Sequence, residues 1–198
     1  MKIDEQLLLR LGATYQEYQA KEVIFFEGAT ARCYMQIEKG SVELNIILEN
    51  GKEFIVGLFS EGNSIAESVL FTDQSYPVNA LAKTDCSVLK LDKNNFLELL
   101  RVDPDIALST LERLSTDLLY QYNIHTIIAE SQPLSKIKAL FDYLKTFNGI
   151  RHGHVFKVPF TRQEIANILG LRVETVIRTV KKTEQDCMLA IRERKIYY

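Results

Sequence analysis

Charged side chains recur at helical spacing in the stretch TRQEIANILGLRVETVIRTVKK, residues 161–182. Glu174 and Arg178 are four positions apart, so both would lie on one face of a helix. Lys181 and Lys182 follow within one further turn. Such side chains have the chemistry to hydrogen-bond to base edges and to phosphates, so this stretch is a candidate for reading DNA.

Two short helices joined by a tight turn would position these charges. Thr161 and Glu164 fit a capping box, in which each side chain binds a free backbone N–H of the other residue. Gly170 is the expected left-handed stop of the first helix. In the second helix we expect four apolar residues to face inward: Val173, Val176, Ile177 and Val180. The pattern is that of a helix-turn-helix, although an ordinary helical hairpin with a solvated charged face would have the same spacing.

The overall composition is that of a globular protein. The chain has 198 residues, of which 46% are hydrophobic and 25% charged. No run reaches the roughly 20 apolar residues of a membrane span, and the N-terminal residues do not resemble a secretory signal. Three widely spaced cysteines, Cys33, Cys86 and Cys187, form no metal-binding spacing. We therefore expect a cytoplasmic protein with reduced thiols, no metal site and no membrane association.

The net charge of −2 conceals a difference between the two parts of the chain. Residues 1–130 contain 11 Lys and Arg against 20 Asp and Glu, whereas residues 131–198 contain 13 against 6. An acidic body followed by a basic C-terminal third is typical of a nucleic-acid-binding domain attached to a partner domain.

The first hundred residues predict a small antiparallel barrel or jelly roll. Residues 3–15 have the spacing of a short amphipathic helix. From Tyr18 onward, alternating runs separated by turn residues predict strands. Asn50-Gly51 between two of these runs predicts a type I′ hairpin.

A long helix is predicted from Pro104 to Glu130, because this stretch contains no glycine and no further proline. Leu108, Leu111, Leu114 and Leu118 follow three-four spacing, and pairing with a second copy would bury them. A core helix within one domain is the alternative. Ser131-Gln132-Pro133 would end the helix, so the predicted domains are 1–103, 104–130 and 131–198. A short strand at His154–Val158 and a terminal hairpin would complete a winged helix.

This sequence resembles the Crp/Fnr family of bacterial transcription regulators over essentially its whole length, and four segments carry the resemblance. They are FFEGATARCYMQIEKGSVEL in the roll, AKTDCSVLKLDKNNFLELLRVDPDIA before the long helix, TRQEIANILGLRVETVIR and LAIRERKIYY. The resemblance implies an α+β fold: an antiparallel jelly-roll domain of the cyclic-nucleotide-binding type, a long dimerisation helix and a C-terminal winged helix-turn-helix.

The resemblance also implies roles for residues of the helix-turn-helix. Glu174 and Arg178 would read a TGA-type half-site, since arginine can donate two hydrogen bonds to guanine and glutamate can accept one from cytosine. Thr175 and Arg172 are further candidates for base contacts. Phosphate contacts are expected from Arg162, Lys181, Lys182 and Thr161.

The residues that hold a cyclic nucleotide in this family are changed here. A Gly-Glu-Leu turn becomes Ala66-Glu67-Ser68, and the phosphate-binding Arg-Ser pair becomes Tyr76-Pro77. Two hydroxyl residues on the long helix become Gln121-Tyr122. Glu67, Ser68, Tyr76, Gln121 and Tyr122 thus define the candidate pocket. Since Tyr-Pro lacks the guanidinium that matches a phosphate, we do not expect cAMP to bind in the family's usual mode.

Other cofactors of the family have little support in this sequence. The N-terminal cysteine cluster of its iron–sulfur members is absent. Haem ligation by His125, His152 or His154 is conceivable, but no spacing supports it. The effector is therefore an unknown small molecule, or there is none.

We thus expect a homodimeric regulator on a pseudo-palindromic operator, with double-stranded DNA and RNA polymerase as partners. The alternative is a cyclic-nucleotide-like ligand-binding module that regulates through protein contacts. No enzyme is expected, because no nucleophile–base pair, metal-ligand spacing or phosphate-binding loop occurs.

Overall fold

The alternating runs of the first half form two antiparallel sheets in a computed structural model that describes residues 2–150 and 154–198. The strands are β1 (Thr14–Tyr18), β2 (Val23–Phe25), β3 (Cys33–Lys39), β4 (Ser41–Ile47), β5 (Glu53–Ser60), β6 (Asn79–Ala82) and β7 (Cys86–Asp92). One sheet has the order β1-β7-β3 and the other the order β2-β6-β4-β5. The predicted antiparallel roll is confirmed, and its buried aliphatic and aromatic residues form a single core.

Helix α2 (Lys93–Val102) packs against β3 and β7 of the three-stranded sheet. Helix α1 (Glu5–Arg10) precedes β1, and a 3-10 helix (Glu67–Phe71) lies between β5 and β6. Phe96 of α2 is fully buried and stacks on Tyr34 of β3, with ring centroids 4.4 Å apart. The hydroxyl of Tyr34 in turn donates to the Gln36 side chain at 2.9 Å.

The predicted helix over residues 3–15 is wrong in its extent. The Asp4 side chain caps the helix at its start, and the helix ends at Arg10. Gly12, at φ +92°, adopts a left-handed conformation that a helix cannot continue. The residues after it form β1, which pairs with β7 from Thr14↔Lys90 to Tyr18↔Cys86. Pairing with β7, which is distant in sequence, therefore places the last residues of the predicted helix in a strand.

The predicted type I′ turn at Asn50-Gly51 is also wrong. A type I′ turn requires positive φ at two successive residues, and of this pair only Gly51 has it, at +75°. The Gly51 N–H donates to the Leu48 carbonyl at 2.8 Å, which closes a longer connection between β4 and β5.

Replacing Gly40 with alanine is expected to destabilise the roll by about 2 kcal/mol. Gly40 has φ +91°, and an added Cβ would overlap the Asp85 carbonyl oxygen and lie 2.8 Å from the Cys86 sulfur. Gly51→Ala is the matched control, because its φ is also positive but its Cβ would meet nothing within 4 Å. For it we expect about 1 kcal/mol, from backbone strain alone. Urea unfolding followed by circular dichroism measures both, and equal losses would contradict the predicted overlap.

The long helix α3 runs from Pro104 to Ala129, close to the predicted span. The chain divides within it into two compact units, Met1–Asp117 and Leu118–Tyr198. The predicted three-part division stays a prediction. Leu108, Leu111 and Leu118 of the predicted seam are exposed, as are Leu119 and Tyr122, whereas Leu114 is half-buried.

The second unit holds three further helices and a small hairpin. These elements are α4 (Pro133–Phe147), α5 (Arg162–Leu169), α6 (Val173–Gln185), β8 (Ala190–Arg192) and β9 (Lys195–Tyr197). Within this unit, Tyr120 of α3 lies 5.8 Å from Tyr143 of α4, measured between ring centroids. The Lys136 ammonium donates to the Ile128 carbonyl at 2.6 Å, near the C-terminus of α3.

The predicted strand at His154–Val158 is present only as an extended segment with one bridge, Lys157↔Tyr197. Phe156 exchanges two backbone hydrogen bonds with Tyr198, at 2.7 and 2.8 Å, so the segment still lies beside the hairpin. The loop predicted at residues 148–153 falls partly outside the described residues. Within the described ranges, each helix is too short or too polar to cross a lipid bilayer.

Candidate nucleic-acid interface

Helix α5 begins and ends as its local sequence predicts. The Glu164 N–H donates to the Thr161 hydroxyl at 3.2 Å, and the Thr161 N–H donates to the Glu164 carboxylate at 2.6 Å. This reciprocal pair is the predicted capping box. Gly170 ends the helix at φ +66°. Ile165, Ile168 and Leu169 are buried, which attaches α5 to the unit's core.

Helix α6 presents the predicted reading residues to solvent. Glu174 and Arg178 are both exposed, one turn apart, while Val176 and Val180 are fully buried on the opposite side. Thr175 is half-buried. The predicted inward orientation of Ile177 is wrong, because its side chain is 46% exposed. One residue after Val176, it is rotated out of the buried face by about 100°.

The start of α6 is unusual, since its N-cap is Arg172 rather than a small polar residue. Arg172 has the extended backbone of an N-cap (φ −81°, ψ 142°), but its side chain makes no capping hydrogen bond. The exposed guanidinium therefore remains beside the first turn of α6, where the free N–H groups also lie. This position is compatible with a contact to an anionic partner.

The predicted phosphate contacts divide into two groups. Lys181, Lys182 and Thr161 are exposed. Arg162 is half-buried, and its Nη1 donates to the Arg194 carbonyl at 3.0 Å. Arg162 therefore holds the hairpin β8–β9 against the start of α5, in addition to carrying a charge.

Sequence reasoning did not include the hairpin turn in the site. Glu193 and Arg194 have φ of +48° and +63°, so two non-glycine residues occupy left-handed positions between β8 and β9. This is the backbone pattern of a type I′ turn. Arg192, Arg194 and Lys195 are exposed around it. The sequence did contain a signal for this second basic surface, because three cationic residues occur within four positions at the predicted hairpin.

In the first unit, Glu67 lies at the start of the 3-10 helix and is almost completely buried. The Ser64 hydroxyl donates to its Oε1 at 2.6 Å. Burial raises the pKa of the Glu67 carboxyl, while the Ser64 hydrogen bond and the charge of Arg113 act in the opposite direction. Ser68, the next candidate pocket residue, is exposed.

Tyr76 is the residue that the resemblance aligns with the family's phosphate-binding arginine. It is 4% exposed and stacks on Phe25, with ring centroids 3.8 Å apart and an angle of 15° between the planes. Pro77 has no N–H to offer. A cyclic phosphate needs charged or N–H donors, so these residues do not fit a cyclic nucleotide held in the family's usual way.

The structure does not bring all five candidate pocket residues into one unit. Glu67, Ser68 and Tyr76 belong to the first unit, whereas Gln121 and Tyr122 lie on the part of α3 that belongs to the second. Tyr122 is exposed. Among the histidines considered for haem, His125 and His154 are exposed, and His152 lies outside the described residues. Within residues 2–150 and 154–198, no cluster of three His, Cys, Asp or Glu side chains is arranged to hold a metal ion.

A roll followed by a winged helix-turn-helix defines a class of DNA-binding transcription regulators. Two family models match this arrangement: the cyclic nucleotide-binding domain over residues 15–103 and the Crp-like helix-turn-helix domain over residues 138–197. The chain is 30% identical over 186 residues to the cAMP-activated global transcriptional regulator CRP of Salmonella typhimurium. The matched region covers 91% of this chain and 87% of that protein. The chain belongs to the Crp/Fnr family.

Other proteins are similar to this chain in sequence or in fold. The cAMP-activated regulator Vfr of Pseudomonas aeruginosa is 25% identical over 182 residues, covering 89% of this chain and 85% of Vfr. The c-di-GMP-responsive regulator CLP of Xanthomonas campestris has a similar fold, with a TM-score of 0.77 and 20% identity over 97% of this chain and 98% of CLP. A CooA variant from Carboxydothermus hydrogenoformans gives 0.79 and 16%, over 100% of this chain and 87% of that one. The helix-turn-helix family match and the sequence relatives CRP and Vfr show that the chain is a DNA-binding transcription regulator of this type.

Proposed function

We propose that this protein acts as a homodimer that binds a pseudo-palindromic operator with TGA-type half-sites. The observation that carries the proposal is the exposed pair Glu174 and Arg178, one turn apart on a helix whose opposite face is buried. Arg178 would donate two hydrogen bonds to guanine, and Glu174 would accept one from cytosine. Thr175 and Arg172 would make further base contacts at the start of the same helix.

Phosphate contacts would fix the position of α6 in the major groove. Lys181, Lys182 and Thr161 are exposed and would therefore be accessible to phosphates. The hairpin β8–β9, held by Arg162 at the Arg194 carbonyl, would add Arg192 and Lys195 on the neighbouring backbone. Contacts of this kind position the protein without reading the sequence.

The dimer would form along residues 104–130. Leu108, Leu111 and Leu118 are exposed on α3, although leucines at this spacing are normally covered. A two-fold axis along this helix would place two copies of α6 about one DNA turn apart, or about 34 Å.

The wider assignments follow from this role. RNA polymerase is a proposed partner, the cytoplasm the proposed location, and an enzymatic activity is not proposed. Any effector would differ from cAMP bound in the usual mode, because Tyr76-Pro77 lacks the phosphate-binding groups.

Fluorescence anisotropy with a labelled duplex tests the proposal. With two inverted TGA half-sites, the logarithm of the affinity should fall linearly with the logarithm of salt concentration. Lys181→Ala and Lys182→Ala should each reduce the slope by about 2 in the dimer, one phosphate contact per protomer, on operator and scrambled DNA alike. Lys39→Ala is the control, since Lys39 is exposed in the first unit. Affinity that is indifferent to salt would instead favour a module acting through protein contacts.

A further inference from the structure

The segment that would hold a cyclic phosphate is joined to the opposite turn of the roll. The Tyr76 N–H donates to the Ala29 carbonyl at 2.9 Å, and the Gly28 N–H donates to the Tyr76 carbonyl at 2.8 Å. Thr30 and Ser75 form an antiparallel bridge beside them. Because Pro77 has no N–H and that of Tyr76 is already engaged, this segment offers no backbone donor at either residue.

The ring of Tyr76 is almost completely buried. It is stacked face to face on Phe25, and both side chains are buried in the core of the roll. Opening the segment would expose two aromatic rings, at a cost set by their buried apolar area. The segment that the resemblance aligns with the phosphate-binding pair therefore contributes to a buried aromatic pair.

The other end, at Glu67, is closed by residues of the long helix and the N-terminal segment. A cavity of about 10 Å³ remains there, lined by Ile3, Tyr34, Ser64, Glu67, Ser109, Thr110 and Arg113. This volume is that of about one water molecule, whereas pockets for small organic ligands occupy roughly 300 Å³ or more.

Arg113 contributes a cation at this end. Its guanidinium carbon lies 5.9 Å from the centroid of the Phe59 ring of β5, and its Nε donates to the Asp117 carboxylate at 3.1 Å. The side chain is only 18% exposed. One face of the first half of α3 is thus attached to the roll by a contact between a cation and an aromatic ring.

We infer that the roll is closed by its own side chains, Tyr76 at one end and Arg113 at the other, and that the protein binds DNA without a cyclic nucleotide. This inference rests on the proposed function. In the first unit, Arg113 maintains the contact between roll and helix that a bound ligand would otherwise mediate. The roll then serves as a permanent support for α3 rather than as a nucleotide-controlled switch.

Nucleotide-free protein tests the inference directly. Protein purified through unfolding and refolding, and checked by mass spectrometry, should bind operator DNA, and 1 mM cAMP, cGMP or c-di-GMP should change the affinity by less than about twofold. Allosteric effectors typically change affinity about 5- to 150-fold, so a rise of that size with any of the three would overturn the inference. Thermal melting gives an independent readout: no nucleotide should raise the melting temperature, and a clear rise would also overturn it.

The two proposals fail differently. If neither nucleotide-free nor nucleotide-supplied protein binds any operator-like duplex, the proposed function fails. The melting experiment still decides whether the roll takes a nucleotide. If DNA binding appears only with a nucleotide, the proposed function stands and the closed roll is refuted.

Arg113→Ala tests the built-in contact. We expect nucleotide-free DNA affinity to fall at least about fivefold, a typical allosteric coupling, with the dimer mass unchanged. Arg101→Ala is the matched control, because Arg101 also pairs with a carboxylate, Glu98 at 3.1 Å, but is exposed on α2. It should change affinity by less than about twofold.

If Arg113→Ala does not fold, Arg113→Lys, which retains the cation, should fold and bind within about threefold of wild type. Wild-type DNA affinity in a folded Arg113→Ala protein would contradict the role of Arg113. A loss of DNA affinity greater than about threefold in Arg113→Lys would contradict it as well.

Discussion

Replacing Leu118 with glutamate is expected to convert the proposed dimer into monomers and to weaken operator binding at least about 100-fold. Leu118 is 51% exposed on α3 and belongs to the row of leucines proposed to meet its symmetry mate. In the dimer, two copies of the new carboxylate would face each other in an apolar interface, where unpaired charge is strongly unfavourable. A monomer reads one half-site alone, and losing linked binding costs about 10²- to 10⁴-fold.

Light scattering coupled to size-exclusion chromatography measures the change in mass, and anisotropy measures the change in affinity. Thr116→Glu is the matched control, because Thr116 is exposed on the same helix but two residues away, and so on a different face. It should remain dimeric and bind DNA normally. If Leu118→Glu stays dimeric, the interface does not include this part of α3.

Replacing Arg178 with alanine should weaken operator binding by about 1–3 kcal/mol per half-site, or about 2–6 kcal/mol for the dimer. The side chain is exposed on α6 and does not support the core, so the fold should be unaffected. The loss arises because guanine O6 and N7 would no longer receive two hydrogen bonds. It should be accompanied by relaxed preference at one base pair of each half-site.

Arg178→Lys separates base reading from charge. Lysine retains the positive charge but lacks the planar fork that donates two parallel hydrogen bonds. We expect operator affinity to fall, while affinity for scrambled DNA stays near that of the wild type. Competition binding at one fixed salt concentration, with each half-site position varied in turn, measures both. An equal loss on operator and scrambled DNA for Arg178→Ala would identify Arg178 as a phosphate contact instead.

Family membership and ligand binding depend on different residues in this protein. The 30% identity to cAMP-activated CRP extends over most of both chains and establishes the family. The ligand depends on a few residues. The resemblance aligns Tyr76 and Pro77 with the phosphate-binding pair, and Tyr76 packs into the core. If the proposed closed roll is correct, the domain is retained here because it supports the first part of α3 rather than because it binds a nucleotide.

The helix-turn-helix could be predicted from the sequence because its determinants are local. The capping box joins residues three apart, and Gly170 ends α5 through its own backbone conformation. The long helix was predictable for a similar reason, since a stretch without glycine or internal proline has no local cause to stop. The strands of the roll were predictable as well, because the alternation of apolar and polar residues is a pattern within each strand. For these elements, the physical interactions that decide the structure are between near neighbours.

Only the tertiary structure decided the features that depend on distant partners. The residues after Gly12 form a strand because β7, far along the chain, pairs with them. Tyr76 is a core residue because Phe25 stacks on it, and Arg113 is a packing residue because Phe59 lies beneath its guanidinium. By itself, the sequence determined which residues are candidates for reading DNA. Whether the roll was open or filled depended on contacts between segments that are remote in sequence, because burial is a property of the folded chain.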